Sequence, residues 1–341
     1  MPISIDFGTR NLHIVSGQVN GKKISIDRMI MDTIPTGLVQ DGIIRELGGL
    51  EMALKNMIDK NRIRERNCII TINGTHIYTR ELDVPKADPK VMTNVVTFEV
   101  QNAMNGGKDV AVEYVISKQP IPDKPSMQKV RASAIQTDYI LDYAKMLKNL
   151  KLKPVAMDIH PNAINKLLNE RSINEMERQD TNLMIIDMGC VTSTAYVISN
   201  GEIIYTRIIP IGGIDIERYI INHNNNEKAD NQISLDRIDL SLNHLRINQT
   251  LGDAARPMVM SLTDGVNRIQ QFLSGRMQGN KLDRIYIYGR SSLFPGIEET
   301  LTESLNIKVE RIRKLSGVSF PSDLEIAPFL NSIGALIRLK G

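Results

Sequence analysis

Apolar and polar positions alternate from the start of the chain. Ile3, Ile5 and Phe7 interleave with Ser4 and Asp6, and the chain then turns through Gly8 and Thr9. A period of two predicts a strand. Its acid is the anomaly, because an unpaired carboxylate in a buried strand is costly. The pattern continues as an alternating strand, Asn20-Gly21 and another strand ("ISIDFGTRNLHIVSGQVNGKKISIDRMI"), and half a chain later it recurs as "LMIIDMGCVTSTAYVISNGEIIYTRIIP". Asp6 and Asp187 open the two copies, 14 and 13 residues before an Asn-Gly. Asn-Gly signals a type I′ hairpin, whose central positions both need positive φ. One Asp-x-Gly is a weak signal, but two in matching hairpins predict duplicated α/β domains.

Helical periodicity follows each hairpin. Leu50, Leu54, Met57 and Ile58 share one face of "GGLEMALKNMIDKNRI", and "NCIITING" reads as a buried strand ending at Asn73-Gly74. In the second half Leu262, Val266, Ile269 and Leu273 form one stripe, before a strand, a glycine turn and a helix in "LDRIYIYGRSSLFPGIEETL". The first half carries additional material. A helix capped by Asp88 with Pro89 at its first position places Val91, Val95 and Phe98 on one face. A proline-rich loop then separates the strands "VEYVIS" and "VRASAI", and the helix "TDYILDYAKMLKNL" follows. The expected organisation is a first domain over 1–175 with an inserted α+β subdomain at about 78–153, and a second domain over 176–341. The second domain has a smaller, Asn-rich part at about 214–258, read as loop and short helices. A C-terminal helix at about 326–340, with Phe329, Leu330, Ile333, Leu336 and Ile337, reads as docked on the first domain, the alternative being a membrane-binding amphipathic helix.

Composition narrows the function classes. The 341 residues, 42% hydrophobic, suffice for two domains. A net charge of +3 without a basic run gives no case for nucleic acid, and the absence of tryptophan gives little for base stacking. Cys68 and Cys190 have neither zinc spacing nor a disulfide pattern, which points to a reducing setting. The first strand starts at Ile3, leaving no room for a signal peptide, and no apolar run reaches the roughly 18 residues that span a bilayer. The expectation is a soluble, cytoplasmic protein. The five histidines (13, 76, 160, 223 and 244) lack ligand spacing and read as structural or surface residues. Cys190 reads as a packing residue, and methionines such as Met52 and Met57 as core fillers.

Two Asp-x-Gly turns facing each other would make a phosphate clamp. Tight turns expose successive N–H groups, and glycine admits the phosphate closely. Thr9, Thr192 and Ser193 would add hydroxyl donors, while Asp6 and Asp187 would hold a hydrated Mg²⁺ through its waters. The turn at Gly289, opening a helix near Pro295-Gly296, would cover an adenosine.

These loops occur in the order of the actin, Hsp70 and sugar-kinase fold. Within it the chain resembles the PilM family of type IV pilus assembly proteins, relatives of the cell-division protein FtsA, over nearly its whole length. The resemblance is carried by "IDFGTRNLHIV", by the helix around Phe98-Glu99-Val100-Gln101, and by "MIIDMGCVTST", "IIPIGGIDI", "IYGRSSLFPGI" and the closing "FLNSIGALIRLKG". It implies an actin-like fold of two duplicated domains around a nucleotide cleft, with ATP and Mg²⁺ as cofactors. The nucleotide site would comprise Asp6, Gly8, Thr9, Arg10, Asn11 and His13, then Gly189, Cys190, Thr192 and Ser193, then Gly212 and Gly213, and finally Gly289, Arg290 and Ser291. Departures accompany the match. His13 stands where relatives place a phosphate-contacting lysine, and Cys190 and Val191 replace small residues. Glu217 takes a frequent threonine position. Arg290 replaces a glycine, where it either blocks the purine or stacks on it.

The resemblance further implies a cytoplasmic ATP-binding scaffold with at most slow hydrolysis. It would grip the N-terminal cytoplasmic peptide of a PilN-like inner-membrane protein, in a groove between the first domain and its insert. A pilus assembly ATPase and other platform proteins complete the implied partners, and membrane association would be indirect. Two alternatives stay open. One is a small-molecule kinase of the same fold, with Asp158 near the interdomain crossing as the acid to consider. The other is a polymerising actin-like segregation or division protein.

Overall fold

The repeat folds as two sheets with one strand order. In the computed structural model, which describes residues 2–104, 109–176, 182–223, 238–276, 282 and 284–338, the first hairpin comprises β1 (Ile3–Phe7), β2 (Asn11–Asn20) and β3 (Lys23–Thr33). A two-residue-per-strand ribbon follows, β4 (Val39–Gln40) and β5 (Ile43–Ile44). Next come α1 (Leu47–Lys60), β6 (Asn67–Ile72), and the insert of β7 (Tyr78–Pro85), α2 (Pro89–Ala103), β8 (Val110–Ile116) and β9 (Met127–Gln136). The half ends with α3 (Thr137–Asn149), β10 (Lys153–Ile159) and α4 (His160–Leu168). The second hairpin is β11 (Asn182–Met188), β12 (Ser193–Ser199) and β13 (Glu202–Ile209). It leads to α5 (Gly213–His223), α6 (Leu242–Ile247), α7 (Gln249–Arg276), β14 (Arg284–Tyr288), α8 (Ile297–Leu305), β15 (Lys308–Arg311), β16 (Val318–Ser319) and α9 (Leu330–Leu336).

The first sheet runs β10-β6-β1-β2-β3-β16 and the second β13-β12-β11-β14-β15. Reversing one order aligns β3-β2-β1-β6-β10 with β13-β12-β11-β14-β15. Each hairpin is antiparallel and each following strand joins its sheet parallel. The duplication is therefore structural as well as verbal. The turns differ in detail. Ser199 pairs with Glu202, leaving Asn200 (φ 51°) and Gly201 (φ 81°) as a type I′ loop. In the first hairpin Asn20 pairs with Lys23, so the loop is Gly21-Lys22, and of these only Gly21 (φ 60°) has positive φ. With glycine first, that arrangement fits type II′ rather than I′.

Leu50, Leu54, Met57 and Ile58 of α1 are buried, as are Leu262, Val266, Ile269 and Leu273 of α7. α2 behaves differently. Its buried stripe is Met92, Val96 and Val100, packed on Val84, Val130 and Ala132 of the insert's three-stranded sheet. Val91 and Phe98 share the opposite, exposed face; helical period marks two stripes here, and the sheet selects one. The insert forms its own core over β7 to β9. α3, expected within the insert, sends Tyr143, Met146 and Leu147 into the first-domain core instead. Met52 is exposed on α1, whereas Met57 is in that core. Part of the Asn-rich stretch, residues 224–237, lies outside the described residues, as do 339 and 340 of the expected C-terminal helix. The rest of that ending packs as a core element. α9 is buried throughout and lies against β1, β2, β6 and α4. Its Ile333 and Leu336 join Tyr196, Tyr288 and Val15 in a core shared by both halves. Among the described residues, no helix is long and apolar enough to cross a membrane.

Candidate functional site

Both Asp-x-Gly segments make the same turn. The Gly8 N–H donates to the Asn11 carbonyl at 3.0 Å, and the Gly189 N–H to the Thr192 carbonyl at 3.1 Å. A Cβ on Gly8 would lie 2.8 Å from that Asn11 oxygen, and one on Gly189 2.5 Å from the Thr192 oxygen. Both turns therefore require glycine. The strand register is also shared, Asp6 opposite His13 and Asp187 opposite Thr194. The missing lysine's place is thus matched by a threonine in the other half.

The two turns face a cavity of about 320 Å³ between the domains. Asp6, Gly8, Thr9, Arg10, Asn11 and His13 line it from the first half, and Asp187, Gly189, Cys190, Thr192, Gly289 and Arg290 from the second. Ser193, Gly212, Gly213 and Ser291 do not line it and instead buttress the second turn. The Ser193 hydroxyl donates to the Ile211 carbonyl at 2.9 Å and the Ser291 hydroxyl to the Gly189 carbonyl at 2.7 Å. Past the Gly-Gly step, the Ile214 N–H reaches the Cys190 carbonyl at 2.9 Å.

At the base of the cavity the two acids share one partner. His160, the first residue of α4, places Nε2 2.8 Å from Asp6 Oδ1 and Nδ1 3.3 Å from Asp187 Oδ2. Asn331 of α9 donates to Asp187 Oδ2 at 2.9 Å and lies 3.0 Å from His160 Nδ1, while the Tyr288 hydroxyl donates to Asn331 Oδ1 at 3.1 Å. Burial alone would raise the Asp6 carboxyl, but the His160 charge and hydrogen bond outweigh it and hold Asp6 well below the usual carboxylate range. Burial would likewise lower His160, yet the Asp6 charge and the bonds to both acids push it up to about 10. The ring stands between the two carboxylates. His13 is buried against Phe329, and neither of its ring nitrogens makes a hydrogen bond, although Nδ1 lies 3.4 Å from Asp6 Oδ2.

The expected hydrated Mg²⁺ between Asp6 and Asp187 does not fit this arrangement. Such an ion keeps several waters and needs carboxylate oxygens free to accept from them. Here the His160 ring stands between them, hydrogen-bonded to Asp6 Oδ1, and Asp187 Oδ2 already accepts from Asn331.

Higher in the cleft, Arg10 crosses from the first turn to Glu217 of α5, Nη1 to Oε2 at 2.8 Å. Arg290 lines the same region, and burial lowers its pKa despite the neighbouring Glu217 charge. Asn73 at the end of β6 donates to the Thr194 hydroxyl at 3.3 Å, a second link between the halves. Burial pushes the Cys190 thiol up to about 11, which leaves no reactive thiolate at neutral pH. Asp158 is consumed structurally, bonded to Lys166 at 2.6 Å, to Asn162 at 2.7 Å and to its neighbour's N–H at 2.9 Å.

His160 and Asn331 were not legible as site residues. His160 offered one local signal, its place at a strand-to-helix junction before Pro161, and Asn331 offered none, since only the fold brings α9 to the cleft.

Comparison with known proteins agrees with this fold. The family model described as type IV pilus assembly protein PilM matches residues 4–328. Among solved structures, a PilM-PilN type IV pilus biogenesis complex superposes with a TM-score of 0.78 at 19% identity, covering 98% of this chain and 97% of that one. The ethanolamine utilization protein EutJ from Carboxydothermus hydrogenoformans gives a TM-score of 0.53 at 13% identity, covering 98% and 88%. The cell division protein FtsA of Bacillus subtilis is 22% identical over 237 residues, 64% of this chain and 53% of FtsA. The chain thus spans about half the length of the curated relative it matches. These likenesses establish the actin-like fold, and the family model extends over nearly the whole sequence. The chain belongs to the PilM family of type IV pilus assembly proteins.

Proposed function

We propose that this protein is an actin-like, nucleotide-binding scaffold of the type IV pilus assembly platform. It holds ATP in the cleft between the two Asp-x-Gly turns and grips the N-terminal cytoplasmic peptide of a PilN-like membrane protein. Its place is at the inner face of the membrane, reached through that partner. Supporting the nucleotide reading, the turns, Arg10, Arg290 and His13 all line one cavity. Supporting the peptide reading, the solved structure with the higher TM-score of the two is of a PilM-PilN complex.

The observation that carries the reading joins these two sites. A second cavity, about 220 Å³, lies between the insert and the domains, lined by Val115, Ile116, Lys129 and Arg131 of the insert, Lys166 of α4 and Glu202 of β13. Glu202 is also a tie. It accepts from the Ser117 hydroxyl at 2.6 Å and the Lys118 N–H at 2.5 Å, while the Arg131 guanidinium donates to the Ile203 carbonyl. The hairpin β12-β13 that carries the second turn's far end is thus fastened to the insert. Nucleotide that orders the turns would bias the groove, a population shift needing no turnover.

Calorimetric titration of a PilN-like N-terminal peptide tests this. The expected result is binding that strengthens with ATP and weakens in Ile116→Asp. Absence of peptide binding together with phosphorylation of a sugar or acid would overturn it. For a kinase, nothing at Asp158 offers a free base.

A further inference from the structure

The end of the first domain away from the cleft carries one further inference. β6 runs parallel to β1, whose last residues reach the cleft, and β10 runs parallel to β6, so the chain enters both strands at the opposite end. α1 and α3 deliver it there, and the two helices close alike. After α1, the Arg62 N–H (φ 51°) donates to the Asp59 carbonyl at 3.1 Å and the Ile63 N–H to the Ile58 carbonyl at 3.0 Å. After α3, the Lys151 N–H (φ 58°) donates to the Lys148 carbonyl at 3.0 Å and the Leu152 N–H to the Leu147 carbonyl at 2.9 Å. These are Schellman closures, whose left-handed position usually holds glycine. Here both hold a cation, each followed by a buried apolar residue that anchors the turn.

We propose that this end is an electrostatic docking face for an anionic lipid bilayer, a direct contact beyond the partner-borne placement above. Residues 59–67 and 145–153 hold eight Lys and Arg against two acids, a net charge of +6, whereas the whole chain carries +3. The fold brings the two segments together, the Lys153 N–H donating to the Arg66 carbonyl at 2.7 Å. Arg62, Arg64, Arg66, Lys148, Lys151 and Lys153 are all exposed. Among the described residues, only Lys60 of the eight cations is in an ion pair, with Asp32 at 3.2 Å. A helix C-terminus favours a cation in its last turn, but Arg64, Arg66 and Lys153 lie beyond the helices. An apolar side chain completes the face. Val155 is bulged out of the β10 ladder, between Pro154 and Ala156, and is 52% exposed. Unpaired cations beside an exposed aliphatic suit anionic headgroups over an acyl boundary. The two segments carry no aromatic side chain for base stacking, which favours lipid over nucleic acid. The choice of a bilayer over an acidic protein rests on the membrane placement proposed above.

Vesicle co-sedimentation of the full chain, without peptide or nucleotide, tests this. Wild type should bind phosphatidylcholine vesicles containing phosphatidylglycerol about tenfold or more tighter than phosphatidylcholine alone. Raising sodium chloride from about 0.1 M to about 0.5 M should release it. The triple variant Arg62→Gln, Arg64→Gln, Lys151→Gln should bind the anionic vesicles about tenfold or more weakly. A control triple variant on the insert, Lys86→Gln, Lys90→Gln, Lys124→Gln, should bind as wild type does. All six positions are exposed, so both variants should keep the wild-type circular dichroism spectrum. Wild type that binds neither vesicle, or both equally, would overturn the proposal, as would equal loss in the two variants. Binding to polyuridylate or polyglutamate that is tighter than to anionic vesicles, and lost in the first variant, would also overturn it and assign the face to nucleic acid or acidic protein. Because no peptide is present, failure here leaves the peptide reading standing, and failure of the peptide titration leaves the vesicle result standing.

Discussion

Arg10 of the first turn and Glu217 of α5 meet across the cleft, guanidinium to carboxylate at 2.8 Å, with both side chains largely shielded from water. This pair bolts the two domains at the mouth of the cavity. It also engages a cation that an incoming polyphosphate would otherwise meet. On the proposed nucleotide reading, domain closure and ligand binding would compete for one guanidinium.

Glu217→Gln should release it. Loss of a charged hydrogen-bond partner in such a setting costs about 1–3 kcal/mol, so urea unfolding should show a reduction of that order. Nucleotide affinity, measured by fluorescence titration, should rise in the same variant because Arg10 is free. A variant both less stable and weaker in binding would show that the pair shapes the site rather than competing with it.

His160 sets the pH dependence of stability. Its pKa is raised by folding from the ordinary histidine value to about 10, so its contribution is complete below about pH 6.5 and fades as pH climbs toward 10. Asp6 is depressed, so its contribution is present above the ordinary carboxylate range and is lost only in strong acid. Melting temperatures of wild type and His160→Gln should differ most between the ordinary carboxylate range and about pH 6.5, and converge as pH approaches 10. Curves that stay parallel through the alkaline range would rule out a charged ring.

The Asp158–Lys166 pair is buried, and Lys166 also donates to the Ile337 carbonyl at 2.7 Å. Removing one partner of such a pair costs about 3–5 kcal/mol, because the other charge is stranded. Asp158→Ala should lose about that much in denaturant unfolding. A variant of unchanged stability but altered phosphoryl transfer would return Asp158 to the role of a catalytic base.

Gly334 faces the Ala163 carbonyl at the crossing of α4 and α9, where any Cβ would press on backbone. Gly334→Ala should therefore cost about 1–3 kcal/mol, the usual penalty of overpacking. Since α9 also delivers Asn331, nucleotide binding should weaken together with the melting temperature.

Much of this was legible in the sequence, for definite reasons. Asp6 and Asp187 sat in repeated hairpins, so both turns and the duplicated strand order followed from local pattern. The amphipathic stripes of α1 and α7 followed from period alone. α2 did not, since Val91-Val95-Phe98 and Met92-Val96-Val100 are both helical stripes, and only the insert's sheet decides which is buried. The first hairpin's type turned on register, which Asn20-Gly21 leaves open by one residue. His160 and Asn331 arrive at the acids from elements separated from Asp6 by more than 150 residues, and no spacing rule links them.

The most direct test of the nucleotide clamp is calorimetric titration of ATP into wild type and Gly189→Ala. A Cβ at Gly189 would lie 2.5 Å from the Thr192 carbonyl and so distort the turn while leaving the cavity's charged groups in place. The expected result is saturable one-to-one binding to wild type, weakened by about tenfold or more in the variant. Absence of binding to wild type, or equal affinity in both proteins, would contradict it.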